Sequence, residues 1–97
     1  MSDRVRLDLN FPDFRSQFLS LDADELKQAV QALRKASSLT WQQVYSDHGL
    51  KWEELKSVKG RLTVRVTRRC RAVVTREGEF MRFLALHFDH DSAYGRK

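Results

Sequence analysis

The sequence predicts a small α+β domain, with an N-terminal strand and two to three helices packed on an antiparallel sheet. Three observations carry that expectation. Apolar residues alternate at Val5, Leu7 and Leu9, recur at helical spacing through the first half, and return to alternation from Leu62 onward. A length of 97 residues, 41% of them apolar, suits a single core, so residues 1–97 are expected to form one domain. The chain has no internal repeat, low-complexity tract or interior linker.

The elements follow in order. Asn10 and Pro12 announce a helix after the first strand, because proline's fixed φ suits the first helical position. Phe11, Phe14, Phe18 and Leu21 then give that helix one aromatic face. Asp22 with Glu25 reads as a capping-box-like start to a second helix, with Leu26, Val30 and Leu33 as its apolar stripe and Arg34 and Lys35 at its end. Thr40 and Gln43 suggest another capped turn, with Trp41, Val44 and Tyr45 on one side and Asp47-His48-Gly49 as its end. Residues 50 to 56 are ambiguous, with one more helical turn around Trp52 and Leu55 as an option. Leu62, Val64 and Val66 alternate with polar neighbours as a strand, and Arg71 to Thr75 continues as another after a turn near Thr67-Arg68-Arg69. Glu77-Gly78 marks a tight hairpin. Phe80 to Phe88 is nearly continuously apolar, the pattern of a strand covered on both faces.

The formal charge of +5 is unevenly placed. Between Leu55 and Arg76 lie Lys56, Lys59, Arg61, Arg65, Arg68, Arg69, Arg71 and Arg76 with no acidic residue, whereas acidic residues outnumber basic ones elsewhere. Arginine's planar fork suits bidentate phosphate contacts, so a polyanion, most commonly nucleic acid, is the natural partner. A solvated basic sheet face or a dock for an acidic protein segment would look the same in composition. No stretch is long and apolar enough to span a bilayer, and Met1-Ser2-Asp3-Arg4 leads into no signal-peptide core, so no membrane partner is expected. Cys70 is the sole cysteine; it reads as a small packed side chain, and a reducing cytoplasm is the expected location.

Chemistry concentrates at the end of the chain, where His87, Asp89, His90, Asp91 and Tyr94 follow the apolar strand. Histidine changes charge near neutral pH, and strand ends hold side chains firmly at the solvent boundary. Cleaving RNA needs a base for the 2′-hydroxyl, cations for the phosphorane and an acid for the departing 5′-oxygen. His87, His90, Asp89 or Tyr94 would supply the first and last, and Arg65 and Arg71 the second. Each has a plainer role available: surface hydrogen bonding for the histidines, turn capping for the aspartates, ring packing for Tyr94. The His87, Asp89 and His90 spacing, even with His48 added, matches no standard zinc pattern. No nucleophile elbow, phosphate-binding glycine loop or dinucleotide fingerprint is present, so neither metal nor organic cofactor is expected.

The order strand, helix, helix, three strands, with a basic meander, resembles the RelE/ParE toxin superfamily of bacterial toxin–antitoxin systems. The run from Leu62 to Val74 is similar to that family's strand, turn and Tyr/Phe-Arg-hydrophobic strand, with Arg71 in place of the signature arginine. The run from His87 to Tyr94 is similar to its closing strand and terminal aromatic. In the RelE-like branch, the resemblance implies metal-free cleavage of messenger RNA on the ribosome and neutralisation by a cognate antitoxin. Arg71 would then stabilise the scissile phosphate and Arg65 would stand in for a lysine. His87 or His90 would take the acid/base position, and Tyr94 the aromatic one. Lys56, Lys59, Arg61, Arg68, Arg69 and Arg76 are the expected RNA contacts. Thr63 departs from the pattern where RelE members often carry another lysine, and the closing Asp-His-Asp is unusually acidic. The ParE-like branch offers the alternative of a non-enzymatic inhibitor of a protein such as DNA gyrase. A non-toxic basic binding module of the same fold is a further option.

Overall fold

The computed structural model describes residues 4–88. The chain runs β1 (Arg6–Asp8), α1 (Pro12–Leu19), α2 (Ala23–Ser37), α3 (Trp41–Ser46), β2 (Glu53–Glu54), β3 (Leu62–Arg65), β4 (Cys70–Glu77) and β5 (Phe80–Phe88). The strands form one sheet in the order β1-β5-β4-β3-β2. The expected meander is present and gains a fourth antiparallel strand, because the ambiguous 50–56 segment supplies β2 at the edge rather than a helical turn. β1 joins β5 in parallel, as the long helical crossover between them permits.

The helices begin where their sequences say they should. Pro12 opens α1, whose Phe14 is buried and packs against Phe18 and Phe83 at centroid distances of 5.5 and 5.2 Å. The Asp22 carboxylate accepts from the Glu25 amide at 2.9 Å and starts α2. The Glu25 side chain is drawn instead to Thr67 and Arg69 across the fold, so the second half of the expected capping box is not made. That contact rotates α2 relative to the expected stripe. Glu25, Ala29, Leu33 and Ala36 face inward, Leu26 is half-buried and Val30 lies exposed. Two alanines in the buried row let the helix approach its neighbours closely. Thr40 and Gln43 complete a reciprocal capping box that starts α3.

All three helices contribute to the core formed on one face of the sheet, where Phe14, Leu33, Trp41 and Val44 meet Val64, Cys70, Val74, Met81 and Phe83. Cys70 is fully buried there. The hairpin after Glu77 is a two-residue turn beginning with Gly78 at φ +64°, a conformation that favours glycine.

β5 is not covered on both faces, contrary to the expectation from its apolar run. Val73 pairs with Ala85 and Val74 with Phe83, so a bulge leaves Leu84 as the extra residue and shifts the inward parity. Met81 and Phe83 point to the core before it and Leu86 after it, while Arg82 and His87 are exposed. An apolar run produced by this change of parity mimics a strand buried on two sides. Gln17 of α1 closes part of the outer edge of β5, its amide oxygen accepting from Leu86 N at 2.7 Å. Among the described residues the other sheet face carries no helix, and it holds Arg65, Arg71 and His87.

Candidate functional site

Strand register alone assembles a row of three functional side chains. Arg65 of β3 lies opposite Arg71 of β4, and Arg71 opposite His87 of β5. Cross-strand partners share a face and stand about 5 Å apart at Cα. The alternation that buries Val64, Ala72 and Leu86 therefore brings Arg65, Arg71 and His87 together on the open face. β2 adds an acid to them. Glu53 pairs in register with Thr63, and its Oε1 accepts from Arg71 Nη1 at 3.1 Å.

These side chains line a groove of about 440 Å³ with Glu54, Leu55 and Thr63. The Arg71 side chain is 26% exposed, against 46% for its partner Glu53. The Arg71 Nε atom is buried and has no hydrogen-bond partner among the described residues. A buried guanidinium N–H without an acceptor is costly, and an anionic oxygen entering the groove would satisfy it. Arg65 is steadied by donating from Nη1 to the carbonyl of Arg68 at 2.9 Å. Two glutamates, two guanidinium groups and an imidazole thus line one concavity, a combination suited to acid–base chemistry on a phosphodiester.

The remaining basic residues divide by location. Lys56, Lys59 and Arg61 lie exposed on the loop between β2 and β3, and Arg68 is exposed on the β3–β4 turn. Arg69 grips Glu25 in a bidentate pair, Nε–Oε2 at 3.1 Å and Nη2–Oε1 at 2.9 Å, with its guanidinium 5.8 Å from the Phe88 ring centroid. Its hydrogen bond and charge attraction to Glu25 hold that guanidinium still more firmly protonated than usual. Arg76 lies 4.3 Å over the Trp41 ring and donates to the Gly78 carbonyl at 2.8 Å and to the Tyr45 hydroxyl. Arg69 and Arg76 thus each commit two guanidinium nitrogens to internal partners. His90 and Tyr94, with Asp89 and Asp91, lie outside the described residues.

Sequence reasoning missed Glu53. The available signal was Glu53-Glu54 immediately before the acid-free basic window and beside Trp52, but only the β2–β3 register places that acid against Arg71. Among the described residues, no three His, Cys, Asp or Glu side chains gather as a metal site.

No family model and no curated protein matches the sequence. Solved structures do match its fold. The YoeB dimer from Staphylococcus aureus aligns with TM-score 0.56 at 17% identity, over 88% of this chain and 97% of that one. The YoeB/ParE toxin from Agrobacterium tumefaciens aligns with TM-score 0.53 at 20% identity, over 88% and 96%. The chain has the RelE/ParE toxin fold. The Escherichia coli DinJ–YafQ complex also matches with TM-score 0.51 at 17% identity, over 95% of this chain and all of that one. In this RelE/ParE fold the groove lies on the sheet face opposite the helices, with β2, β3, β4 and β5 each contributing a wall residue.

Proposed function

We propose that this chain is the toxin of a toxin–antitoxin pair, a cytoplasmic endoribonuclease that cuts messenger RNA on the ribosome without a metal. The observation that carries this reading is the convergence of Glu53, Arg65, Arg71 and His87 in one groove. The fold neighbours support the toxin role, and the structures of YoeB with YefM and of YafQ with DinJ support a cognate protein partner. The whole of residues 1–97 acts as one domain in this reading.

The Glu53 carboxylate takes the proton from the 2′-hydroxyl. The resulting oxygen attacks the adjacent phosphorus, and Arg71, aided by Arg65, stabilises the charge on the phosphorane. His87 gives a proton to the 5′-oxygen as the P–O5′ bond breaks, leaving a 2′,3′-cyclic phosphate and a 5′-hydroxyl. His90 and Tyr94 follow His87 closely enough in sequence to assist at the leaving group. The exposed Lys56, Lys59, Arg61 and Arg68 would hold the flanking RNA backbone, making binding salt-sensitive.

Expression in bacteria tests the reading, with wild type compared with Glu53→Ala, Arg71→Ala and His87→Ala. The wild type should arrest growth and fragment messenger RNA, and the Arg71→Ala protein should do neither. Intact messenger RNA and normal growth with abundant wild-type protein would overturn it. Toxicity that persists in all three variants, with DNA damage, would favour inhibition of a protein target.

A further inference from the structure

On the helix side of the sheet, near its β2 edge, stands an aromatic wall that the cleavage chemistry does not use. Trp41, Tyr45 and Trp52 cluster with ring centroids 5.4 to 5.9 Å apart. Trp41 is buried and Trp52 half-buried, whereas Tyr45 is 48% exposed. Arg76 fixes this exposed ring by stacking over Trp41 and donating to the Tyr45 hydroxyl. Tyr45 and Trp52, with Ser46, Asp47, His48, Lys51 and Glu53, line a cavity of about 540 Å³. Glu53, on the edge strand β2, lines both this cavity and the groove on the opposite sheet face.

Charge around the cavity favours an anionic chain with planar groups. Asp47 is paired with Lys35 at 3.0 Å and Glu53 with Arg71 at 3.1 Å, so both local carboxylates are already balanced. Lys51 and His48 remain exposed at the rim. Lys51 also has φ +52°, an uncommon left-handed conformation for lysine, held by its N–H donating to the Asp47 carbonyl at 3.1 Å. Immediately after this bend, Trp52 joins the aromatic cluster and Glu53 joins the groove. Consecutive residues at the sheet edge thus reach the stacking surface on one face and the acid–base site on the other.

From this arrangement we infer that the Tyr45–Trp52 wall is a stacking subsite for a base of single-stranded RNA, with Lys51 at the neighbouring phosphate. The inference rests on the ribonuclease reading, which places the RNA backbone in the groove across the β2 edge. Every base has a π-face, so the subsite would hold a nucleotide with little sequence preference. The Tyr45 hydroxyl accepts from Arg76, which holds the exposed ring in place.

Tryptophan fluorescence titrations with the full chain test this, using a 2′-O-methyl RNA hexamer that cannot undergo 2′-hydroxyl attack and the same backbone with abasic residues. The base-bearing hexamer should quench fluorescence and bind about tenfold more tightly than the abasic one. Tyr45→Ala should remove most of that difference, Tyr45→Phe should keep it, and Lys51→Asn should weaken both ligands alike while suiting the left-handed backbone. Equal affinity for both hexamers, or an undiminished base preference in folded Tyr45→Ala, would overturn the subsite even if the protein cleaves RNA. Base-dependent binding by a protein that leaves messenger RNA intact would support the subsite and overturn the nuclease reading instead.

Discussion

Arginines on the two sides of the sheet differ in what they hold. On the helix side, Arg69 ties the β3–β4 turn to Glu25 of α2, and Arg76 covers Trp41 of α3. On the open side, Arg65 and Arg71 stand in the groove, and the buried Nε of Arg71 lacks a partner among the described residues. All four lie in one acid-free stretch and contribute equally to net charge. Strand parity and the reach of each side chain separate the arginines that secure the fold from those available to a substrate.

Breaking the helix side should have the largest energetic effect. Trp41 is buried and donates from Nε1 to the Glu79 carbonyl at 3.0 Å. Trp41→Ala should cost about 3–5 kcal/mol of stability, measured by denaturant unfolding. On the open side, Arg71→Ala should lower the cleavage rate by roughly 100- to 1,000-fold, the scale for losing a donor to transition-state charge. Its melting temperature should stay near that of wild type, because the ion pair it loses is partly exposed. A large stability loss in Arg71→Ala would place it with the fold-securing arginines and erase the contrast.

Smaller changes sharpen the division. Glu25→Gln retains the side chain's shape but loses its charge, so the unfolding midpoint should fall by less than in Trp41→Ala, with little change in cleavage. A collapse of activity at unchanged stability would show that the Glu25–Arg69 tie acts on the groove. The smallest effect concerns Asp47. Burial pushes its carboxyl up, but the Lys35 ammonium and the Leu50 and Gly49 amides outweigh that and hold it below the usual value. A lowered folded pKa stabilises the protein above the unfolded value of about 3.9, and this contribution disappears as pH falls through the folded value. Asp47→Asn should therefore be slightly less stable than wild type at neutral pH and converge with it in acid. A constant difference across pH would contradict the assignment.

Much of the architecture was legible because local signals agreed with the fold: Pro12 for α1, Asp22 for α2, Thr40 with Gln43 for α3 and Gly78 for the hairpin. The buried stripe of α2 differs from the expected one because a glutamate lies inward, satisfied by an arginine 44 residues away. β2 was illegible because two exposed glutamates carry no periodicity, and its existence depends on pairing with β3. The two-sided burial expected of β5 failed on a single bulge at Leu84. Arg65, Arg71 and His87 could be singled out from residue type, but their alignment required the register, and Glu53 emerged only from it.

Analysis of RNA ends most directly tests the claim that the groove cleaves RNA. Purified protein would be incubated with ribosomes carrying a defined messenger RNA, comparing wild type with Glu53→Gln and Arg71→Ala at matched folded concentration. The account predicts fragments ending in a 2′,3′-cyclic phosphate and a 5′-hydroxyl from wild type, and almost none from either variant. Wild-type-level cleavage by folded Arg71→Ala, or 3′-hydroxyl and 5′-phosphate ends from wild type, would contradict it.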